Sequence, residues 1–357
     1  QYSPFAVTTT SGSESEDMNI HSLGGALFER PRESRQQCAG AVLMIRPAAF
    51  DYNPETALTN KMQQPADAEA SGTAAVVGAG SASTAQARAW AEFDGLVRAL
   101  ESEGVTVCSV ADTHEPPKPD AVFPNNWVSF HQDGTVVLYP MQAATRRRER
   151  RREVVATVVS ELEFKTSRLL DLTHHEAEGR FLEGTGSLIL DHIERVAYAS
   201  LSPRTHPAVI QEWAREMGYE PLVFAACDRA GVPLYHTNVL MCVGARMAVI
   251  GTAAVAPEDR GRLLDRLRAS GREVVEIDHD EIERFAGNML ELATWDEALG
   301  DSRVLVMSQT ARQGLRPENF ARLSACTDAV LAVPVPMIEK CGGGSVRCML
   351  AEVFLPA

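Results

Sequence analysis

The 357 residues of the chain predict an α/β fold in which five ββαβ units lie around a common centre, as in a five-bladed propeller. Three observations favour this fold. Hydrophobic residues make up 45% of the chain, which is enough to bury a large core. Short apolar segments typical of strands alternate with longer helical segments. Units of this kind recur about every 50 residues, a spacing typical of radial repeats or arrays.

Four of the units are expected to open at Asn126, Ser187, Asn238 and Asn288, with spacings of 61, 51 and 50 residues. Each unit opens with a strand, turns through a short polar segment, returns as a second strand and continues through a helix to a third strand. The predicted helices are 147–164, 207–217, 257–270 and 317–330, and the predicted third strands are 168–172, 221–224, 273–277 and 330–333.

The fifth unit is assembled from both ends of the chain. Strand 41–45, helix 86–102 and strand 105–110 belong to it, and residues 349–355 supply its closing strand. Closure of this kind protects sheet edges. The opening residues would then face one cavity, where segments 120–126, 183–187, 236–238 and 342–348 are expected to converge. The alternative is an ordinary α/β sheet with coincidental spacing.

Residues 40–357 are assigned to this single α/β-propeller domain. Residues 1–39 are expected to be a disordered leader or an added segment, because most of them are Ser-, Thr-, Glu- and Arg-rich without an apolar period. Residues 65–87 are rich in small residues and would form either a loop over the site or a long connection.

Composition excludes several classes of function. With 34 basic and 48 acidic residues the net charge is −14, which argues against nucleic acid as a partner. The sequence has no apolar stretch of 18 residues, so no membrane span is expected. Seven scattered cysteines without a CxxC pair argue against a disulfide framework or a zinc ribbon and favour the cytoplasm. A homo-oligomer is possible.

Three residues combine into a catalytic hypothesis. Cys348 follows three successive glycines, which indicate a sharp bend or a close approach of the backbone. His236 lies at a predicted strand start, and Glu183 lies between apolar residues and glycines. Together they provide a nucleophile, a base and an orienting carboxylate.

Five segments, in this order, resemble the guanidine-modifying superfamily of arginine deiminases, dimethylarginine dimethylaminohydrolases and amidinotransferases, and most of all its citrulline-utilisation hydrolases. They are Asp120-Ala-Val-Phe-Pro-Asn-Asn-Trp, Glu183-Gly, Ser202-Pro-Arg-Thr, His236-Thr-Asn and Gly342-Gly-Gly-Ser-Val-Arg-Cys. The resemblance runs from about Gly40 to the C-terminus. It implies the five-bladed α/β-propeller called the pentein fold, a small amino-acid substrate, and no cofactor or metal.

The resemblance also implies roles for single residues. Cys348 would attack the central carbon of a ureido or guanidino group, with His236 as general acid and base and Glu183 beside it. Arg204 would pair with the α-carboxylate of the substrate, and Asp120 would lie near its α-amino group. Further residues expected to contact the substrate are Phe123, Asn125, Asn126, Asn238, Gly343 and Gly344. Main-chain N–H groups near Gly343 and Gly344 would also stabilise an oxyanion.

The departures from the family pattern favour citrulline as the substrate. Arginine-type members carry carboxylates where this chain has Asn125 and Asn126, and arginine deiminases have an aspartate where this chain has Asn238. A buried guanidinium needs a compensating carboxylate, whereas a neutral ureido group suits an amide. The products would be ornithine, ammonia and carbon dioxide. Alternatives are hydrolysis of arginine or dimethylarginine, amidino transfer, and a non-catalytic binding protein on the same propeller.

Three further features are given other interpretations. The basic run Arg146–Arg152, which contains Glu149, is expected to be a solvated helix start. His174 and His175 have the side chains of metal ligands, but no third ligand at a standard spacing is evident, so no metal site is expected. Asn288 is either a turn residue or an amide that lines the cavity.

Overall fold

The structure is a computed structural model that describes residues 35–66, 84–296 and 300–354. The strands in these ranges are β1 (Ala41–Arg46), β2 (Thr106–Ala111), β3 (Val128–Phe130), β4 (Thr135–Leu138), β5 (Arg168–Asp171), β6 (Ile189–Asp191), β7 (Val196–Ser200), β8 (Glu220–Phe224), β9 (Met241–Val243), β10 (Met247–Ile250), β11 (Glu273–Glu276), β12 (Leu290–Asp296), β13 (Gly300–Ser308), β14 (Ala329–Val333) and β15 (Ala351–Val353).

The α-helices of the same ranges are α1 (Pro54–Ala57), α2 (Thr84–Ser102), α3 (Ala144–Arg147), α4 (Arg152–Glu161), α5 (Gly184–Ser187), α6 (Pro207–Met217), α7 (Pro257–Ala269), α8 (His279–Glu283), α9 (Gln309–Gly314) and α10 (Pro317–Ser324). Short 3₁₀ turns lie at Pro124–Asn126, Thr173–Glu178, Thr237–Val239 and Val346–Met349. None of the helices in the described part of the chain is long and apolar enough to cross a membrane.

The strands form five units of one design, each an antiparallel pair followed by a parallel third strand. Four units follow the chain directly: β3-β4-β5, β6-β7-β8, β9-β10-β11 and β12-β13-β14. In the fifth, β15 pairs antiparallel with β1, where Ala41 lies opposite Val353, and β1 pairs parallel with β2. The α/β class and the joining of the chain's two ends in one unit are therefore confirmed.

The longer helices bury one face against the sheets. In α2 the residues Ala85, Ala89, Phe93, Leu96 and Leu100 recur every three or four positions and are buried, which is the spacing of one helix face. Helix α6 has Pro207 in its first turn, and Gly218 in the left-handed conformation follows its last residue. Proline at the start and glycine just after the end are typical helix start and stop signals. Burial of these faces fixes each helix on its own unit.

The units do not open with strands as predicted. At three predicted openings, residues 124–126, 184–187 and 237–239 form single helical turns, and the first strand starts two or three residues later. At the fourth, Asn288 precedes β12 by two residues. A helical turn points consecutive side chains in different directions, whereas a strand alternates them between two faces. The turns therefore let neighbouring residues of one opening contact different partners.

Two predicted helices are shorter than expected. The prediction 147–164 corresponds to α3 and α4, which are separated by residues 148–151. The prediction 317–330 ends at Ser324. Beyond it, the Thr327 hydroxyl donates to the Arg303 carbonyl and the Asp328 carboxylate accepts from the Arg303 amide, so this segment joins the sheet instead of the helix.

Of the predicted leader, residues 1–34 lie outside the described residues, as do residues 67–83 of the predicted loop. Residues 35–39 contact the folded domain. The Gln37 amide donates to the carbonyls of Leu190 (2.9 Å) and Val243 (3.0 Å), and its oxygen accepts from the amide of His192. Gln37 thus connects the second and third units.

A buried ion pair near Gln37 also joins these two units. Arg272 donates to both carboxylate oxygens of Asp191, at 2.5 and 3.0 Å, and both side chains are almost fully buried. Replacing Arg272 by Met should lower the free energy of unfolding by about 3–5 kcal/mol, because it leaves a buried carboxylate without its cation. Urea denaturation measures this loss.

The matched control is Arg246→Met, which removes an exposed ion pair to Asp328 with an N–O distance of 2.9 Å. Its cost should stay within about 1 kcal/mol. Equal losses in the two variants would contradict the assignment of Arg272 and Asp191 as a connection between units.

Candidate active site

The helical turns that open the units meet at one small buried cavity. It is lined by side chains from distant parts of the chain: Thr56, Asn60, Asp120, Phe123, Asn126, Arg146, Arg204, Tyr235, His236, Gly342 and Cys348. The convergence expected for segments 120–126, 236–238 and 342–348 is therefore observed. Glu183 lies directly behind His236 and completes the group.

Glu183 is a fully buried carboxylate surrounded by donors and cations. It has no exposed surface, and it accepts hydrogen bonds from Nε2 of His236 (2.8 Å) and from the main-chain amide of Gln142 (3.0 Å). Nη1 of Arg204 lies 3.5 Å and Nη1 of Arg146 lies 4.0 Å from its Oε2. Burial by itself would raise the pKa of Glu183, but Arg204, His236 and Arg146 outweigh it and lower that pKa to about 2.

His236 is a neutral base in this environment. Burial lowers the pKa of its imidazole to about 4, and the opposing effect of Glu183 is not enough to restore the ordinary value. Glu183 binds Nε2, so Nδ1 faces the other way, towards Gly186. A Cβ atom at position 186 would lie 2.8 Å from this Nδ1 and 2.6 Å from Nδ2 of Asn126. Only glycine therefore allows the imidazole and the amide to approach here.

Cys348 is held by two amide donors. Its Sγ accepts hydrogen bonds from Nδ2 of Asn238 and Nδ2 of Asn288, both at 3.3 Å, and its side chain is buried. The amide oxygen of Asn288 accepts from the main chain of Arg347, which fixes the orientation of this donor. Asn238 was expected to contact the substrate; the structure places its amide against Sγ of Cys348. Asn288, which the sequence left undecided, lies beside it.

The glycines before Cys348 make room for Phe123. A Cβ at Gly344 would lie 3.0 Å from the phenyl ring and 3.3 Å from Cβ of Cys348. Gly343 adopts φ +61°, which favours glycine. The expected bend is confirmed, but one of the main-chain N–H groups expected near the two glycines is already engaged. The N–H of Gly343 donates to the Glu339 carbonyl at 2.9 Å, so it is not available to stabilise an oxyanion.

Asn126 and Arg146 form a fixed pair at the edge of the cavity. Nη1 of Arg146 donates to Oδ1 of Asn126 at 2.6 Å, and Nδ2 of Asn126 donates to Oδ1 of Asn125 at 2.9 Å. Asn125 lies behind Asn126 and donates to Thr185 at 3.3 Å. Because a guanidinium only donates, the amide oxygen of Asn126 must face Arg146. Asn126 lines the cavity, and the second N–H of its Nδ2 has no hydrogen-bond partner among the described residues.

Arg146 corrects the interpretation of the basic run as a solvated helix start. Its side chain is buried, and Glu149 binds it with two hydrogen bonds, at 2.9 and 2.8 Å. Burial opposes its charge, but Glu149, Asp120 and Glu183 together raise the pKa of Arg146, so it is a cation. The one acidic residue of the run, three positions further on, was the signal for this pair.

A segment around α1 covers the cavity; we call residues 53–63 the covering segment. Its residues form hydrogen bonds to Asp120 and Arg204, the two side chains expected to bind the amino-acid end of the substrate. Asp120 accepts from Asn53 (2.7 Å), Thr56 (3.1 Å) and Gln63 (3.3 Å). Burial raises the pKa of this carboxyl.

Arg204 is held by the same segment. It donates to the carbonyl of Thr56 at 2.7 Å and to the hydroxyl of Thr59 at 2.7 and 2.9 Å. At the other end, the amide of Asn60 donates to the Gly343 carbonyl at 3.1 Å. No signal in the sequence pointed to the covering segment, because its polar residues are of the types found in any surface turn.

A family model described as N,N dimethylarginine dimethylhydrolase, eukaryotic, matches residues 46–355. No curated protein sequence matches the chain at a significant level.

Among solved structures, the cyanobacterial arginine dihydrolase ArgZ aligns with a TM-score of 0.64 at 16% identity, over 88% of this chain and 41% of ArgZ. AgrE aligns with a TM-score of 0.64 at 18% identity, over 89% of this chain and 39% of AgrE. This chain thus spans about two fifths of those two proteins.

The DDAH of Pseudomonas aeruginosa, in a mutant form complexed with citrulline, aligns with a TM-score of 0.57 at 14% identity. The alignment covers 88% of this chain and 99% of that one. At such identities the likeness establishes the fold, which agrees with the superfamily that the motifs indicated. Because the family model covers most of the chain, the chain belongs to the N,N-dimethylarginine dimethylhydrolase family.

Proposed function

We propose that the protein is a cysteine-dependent hydrolase of a ureido amino acid, and that its substrate is citrulline. The reaction converts citrulline and water to ornithine, ammonia and carbon dioxide. The orientation of Asn126 is the observation that carries this proposal. Its carbonyl is taken by Arg146, so it offers an N–H donor to a bound substrate.

An N–H donor selects between the two candidate groups. A ureido carbonyl oxygen can accept a hydrogen bond from this N–H. A guanidinium has only donors, so its own N–H groups would face the N–H of Asn126 without forming a hydrogen bond. Leaving a buried donor unpaired costs about 1–3 kcal/mol, and more when a charged group is involved. The fixed amide of Asn126 therefore favours citrulline over arginine.

The charges around the cavity support the same choice. Arg146 and Arg204 are buried there. Glu183, which would otherwise attract a cationic substrate, has both arginines within 4.0 Å. A second buried guanidinium next to Asn126 would be repelled by Arg146 in surroundings of low dielectric constant. A neutral ureido group avoids this cost.

The amino-acid end of the substrate is proposed to bind Asp120 and Arg204. The ammonium group would replace the neutral donors Asn53, Thr56 and Gln63 on Asp120, and the carboxylate would replace Thr59 on Arg204. An arginine fork suits a carboxylate. Substrate binding therefore requires the covering segment to exchange its hydrogen bonds or move.

The mechanism follows from the protonation states. Neutral His236 accepts the thiol proton as Sγ of Cys348 attacks the ureido carbon, and Glu183 stabilises the imidazolium. The imidazolium returns the proton to the departing nitrogen and leaves a carbamoyl thioester on Cys348. His236 then activates water, the C–S bond breaks, and loss of carbon dioxide completes the reaction. Asn238 and Asn288 stabilise negative charge on sulfur.

The five units are proposed to close into a propeller around this site. Four contacts support closure: turn 124–126 packs against α5 and against turn 346–349, α5 packs against turn 237–239, and β15 pairs with β3. In a closed ring, the opening turns would remain at the centre whatever the length of the outer loops. This explains how residues from all parts of the chain reach one cavity.

Hydrolysis of arginine or a methylated arginine is the second candidate. The family model itself describes dimethylarginine hydrolases. Asp120 also favours it, because this carboxylate lines the cavity and is bound by neutral donors. A guanidinium could reach Asp120 only if the substrate bound with its side chain towards the covering segment.

The purified protein should release ornithine and ammonia from citrulline and turn over arginine and dimethylarginine far more slowly. Replacing Cys348 by Ala should abolish turnover, because no other group can form the thioester. Replacing Cys326, which is partly exposed and distant from the cavity, by Ala is the control and should retain activity. Amino-acid product analysis measures turnover by the unchanged protein and by the two variants. Citrulline formed rapidly from arginine would refute the choice of substrate.

Replacing Asn126 by Asp should shift the ratio of kcat/KM for citrulline over arginine towards arginine by roughly 10²-fold. The carboxylate keeps the contact with Arg146 but loses the N–H donor and gains an acceptor for a guanidinium. The control is Asn126→Ala, which should lower kcat/KM for citrulline without favouring arginine. A ratio unchanged by Asn126→Asp would show that this side chain does not contact the reacting group.

His236 should titrate with a pKa near 4 and stay neutral at pH 6, because burial disfavours its charge. Nitrogen chemical shifts of labelled histidine report this, with His236→Gln to assign the signal. Since Glu183 raises the pKa of His236, Glu183→Gln should lower it further and reduce kcat by about 10²–10⁴-fold. A His236 pKa at or above 6.5 in the free enzyme would contradict the proposed role as a neutral base.

A further inference from the structure

We propose that His174, His175 and Glu212 bind one divalent transition-metal ion, with zinc as the representative ion. The two histidines lie in the turn Thr173–Glu178, and Glu212 lies on α6. The sequence could not provide the third ligand, because it comes from another element 37 residues after His175. The site lies outside the cavity that holds Cys348.

The distances suit a metal site. Nε2 of His175 lies 2.9 Å from Oε2 of Glu212, and Nε2 of His174 lies 3.8 Å from Oε1 of Glu212. All three ligand atoms lie within 4.8 Å of one another. Zinc with bonds of about 2.0–2.1 Å and tetrahedral angles places its ligand atoms about 3.3 Å apart. Small side-chain movements therefore bring the three groups to a common ion.

The second nitrogen of each imidazole supports the assignment. Nδ1 of His174 lies 3.3 Å from the Asp171 carbonyl. If Nδ1 of His174 carries the proton and donates it to this carbonyl, Nε2 is unprotonated and its lone pair lies on the side of Glu212. A metal-binding histidine typically donates its other N–H to a carbonyl or a carboxylate. Ring centroids 4.2 Å apart keep the two imidazoles together.

His175 gives an independent indication. It is buried, and its Nδ1 has no hydrogen-bond partner among the described residues, although Oε2 of Glu178 lies 4.0 Å away. Glu178 is half-exposed and also pairs with Arg180 at 2.6 Å. It can rotate to accept the Nδ1 proton once Nε2 binds a metal. Metal binding at Nε2 would therefore fix the imidazole proton on Nδ1 and give this buried atom Glu178 as a hydrogen-bond partner.

The ligand set indicates the class of ion. Two imidazoles and one carboxylate suit zinc, copper or nickel, whereas calcium and magnesium prefer oxygen ligands. The exposed side of the His174 ring leaves space for water as a fourth ligand. The ion would connect α6 to the turn from which the chain proceeds, within five residues, to Glu183.

Calorimetric titration with zinc chloride tests the proposal. The parent is the full chain with Cys348→Ala, which removes the buried active-site thiol as a competing zinc ligand. We expect one zinc ion per chain. In this parent, His174→Ala and Glu212→Gln should each weaken zinc binding by about tenfold or more. Buried His175 is left intact, and the glutamine can still accept its hydrogen bond, so both variants should fold.

The matched control is His114→Ala, which removes an exposed histidine elsewhere and should leave zinc affinity unchanged. Zinc should also raise the melting temperature of the parent and of the control, but not of His174→Ala or Glu212→Gln. The proposal is overturned if the parent binds no zinc, or if both variants bind it with the parent's stoichiometry and affinity. Neither readout depends on turnover, so the result is separate from that of the proposed function.

Discussion

The site depends on the burial of Glu183 among cations. A carboxylate without exposed surface is stable only if charges and donors compensate for its lost hydration. Here the compensation comes from Arg204, Arg146, His236 and a main-chain amide, which belong to different parts of the chain. Each of these groups is itself fixed by further partners. Satisfying one buried charge therefore fixes the relative positions of several distant segments of the chain.

The same network determines what the cavity offers to a substrate. Arg146 is held by Glu149 and in turn orients Asn126, so a residue outside the recognised motifs sets the direction of a donor inside the cavity. Had position 126 been a carboxylate, it would have kept the contact with Arg146 and presented an acceptor to the cavity in place of a donor. An amide in place of an acid at this position removes a charge and also replaces an acceptor by a donor. The buried guanidinium of Arg146 determines which end of the amide faces the cavity.

The covering segment adds a constraint on access. Its polar side chains satisfy Asp120 and Arg204, two charged groups that would otherwise be buried without partners. This arrangement stabilises the site without a ligand, and it offers neutral donors that a charged amino-acid substrate can displace. In the binding mode proposed above, ion pairs to the two charged ends of an amino acid would replace hydrogen bonds to uncharged groups.

The sequence alone determined the α/β class, the repeated units, the joining of the two chain ends and part of the set of residues that meet in the cavity, because apolar spacing and ordered motifs are local properties of the chain. Tertiary structure decided which side chains of the turns face one another. From the sequence, Arg146 was one cation in a basic run, Asn238 was expected to contact the substrate, and Asn288 was left undecided. Glu212 was not singled out at all. The partners of these four residues lie 20 to 110 residues away. Contacts over such separations depend on how the units pack, which no local pattern encodes.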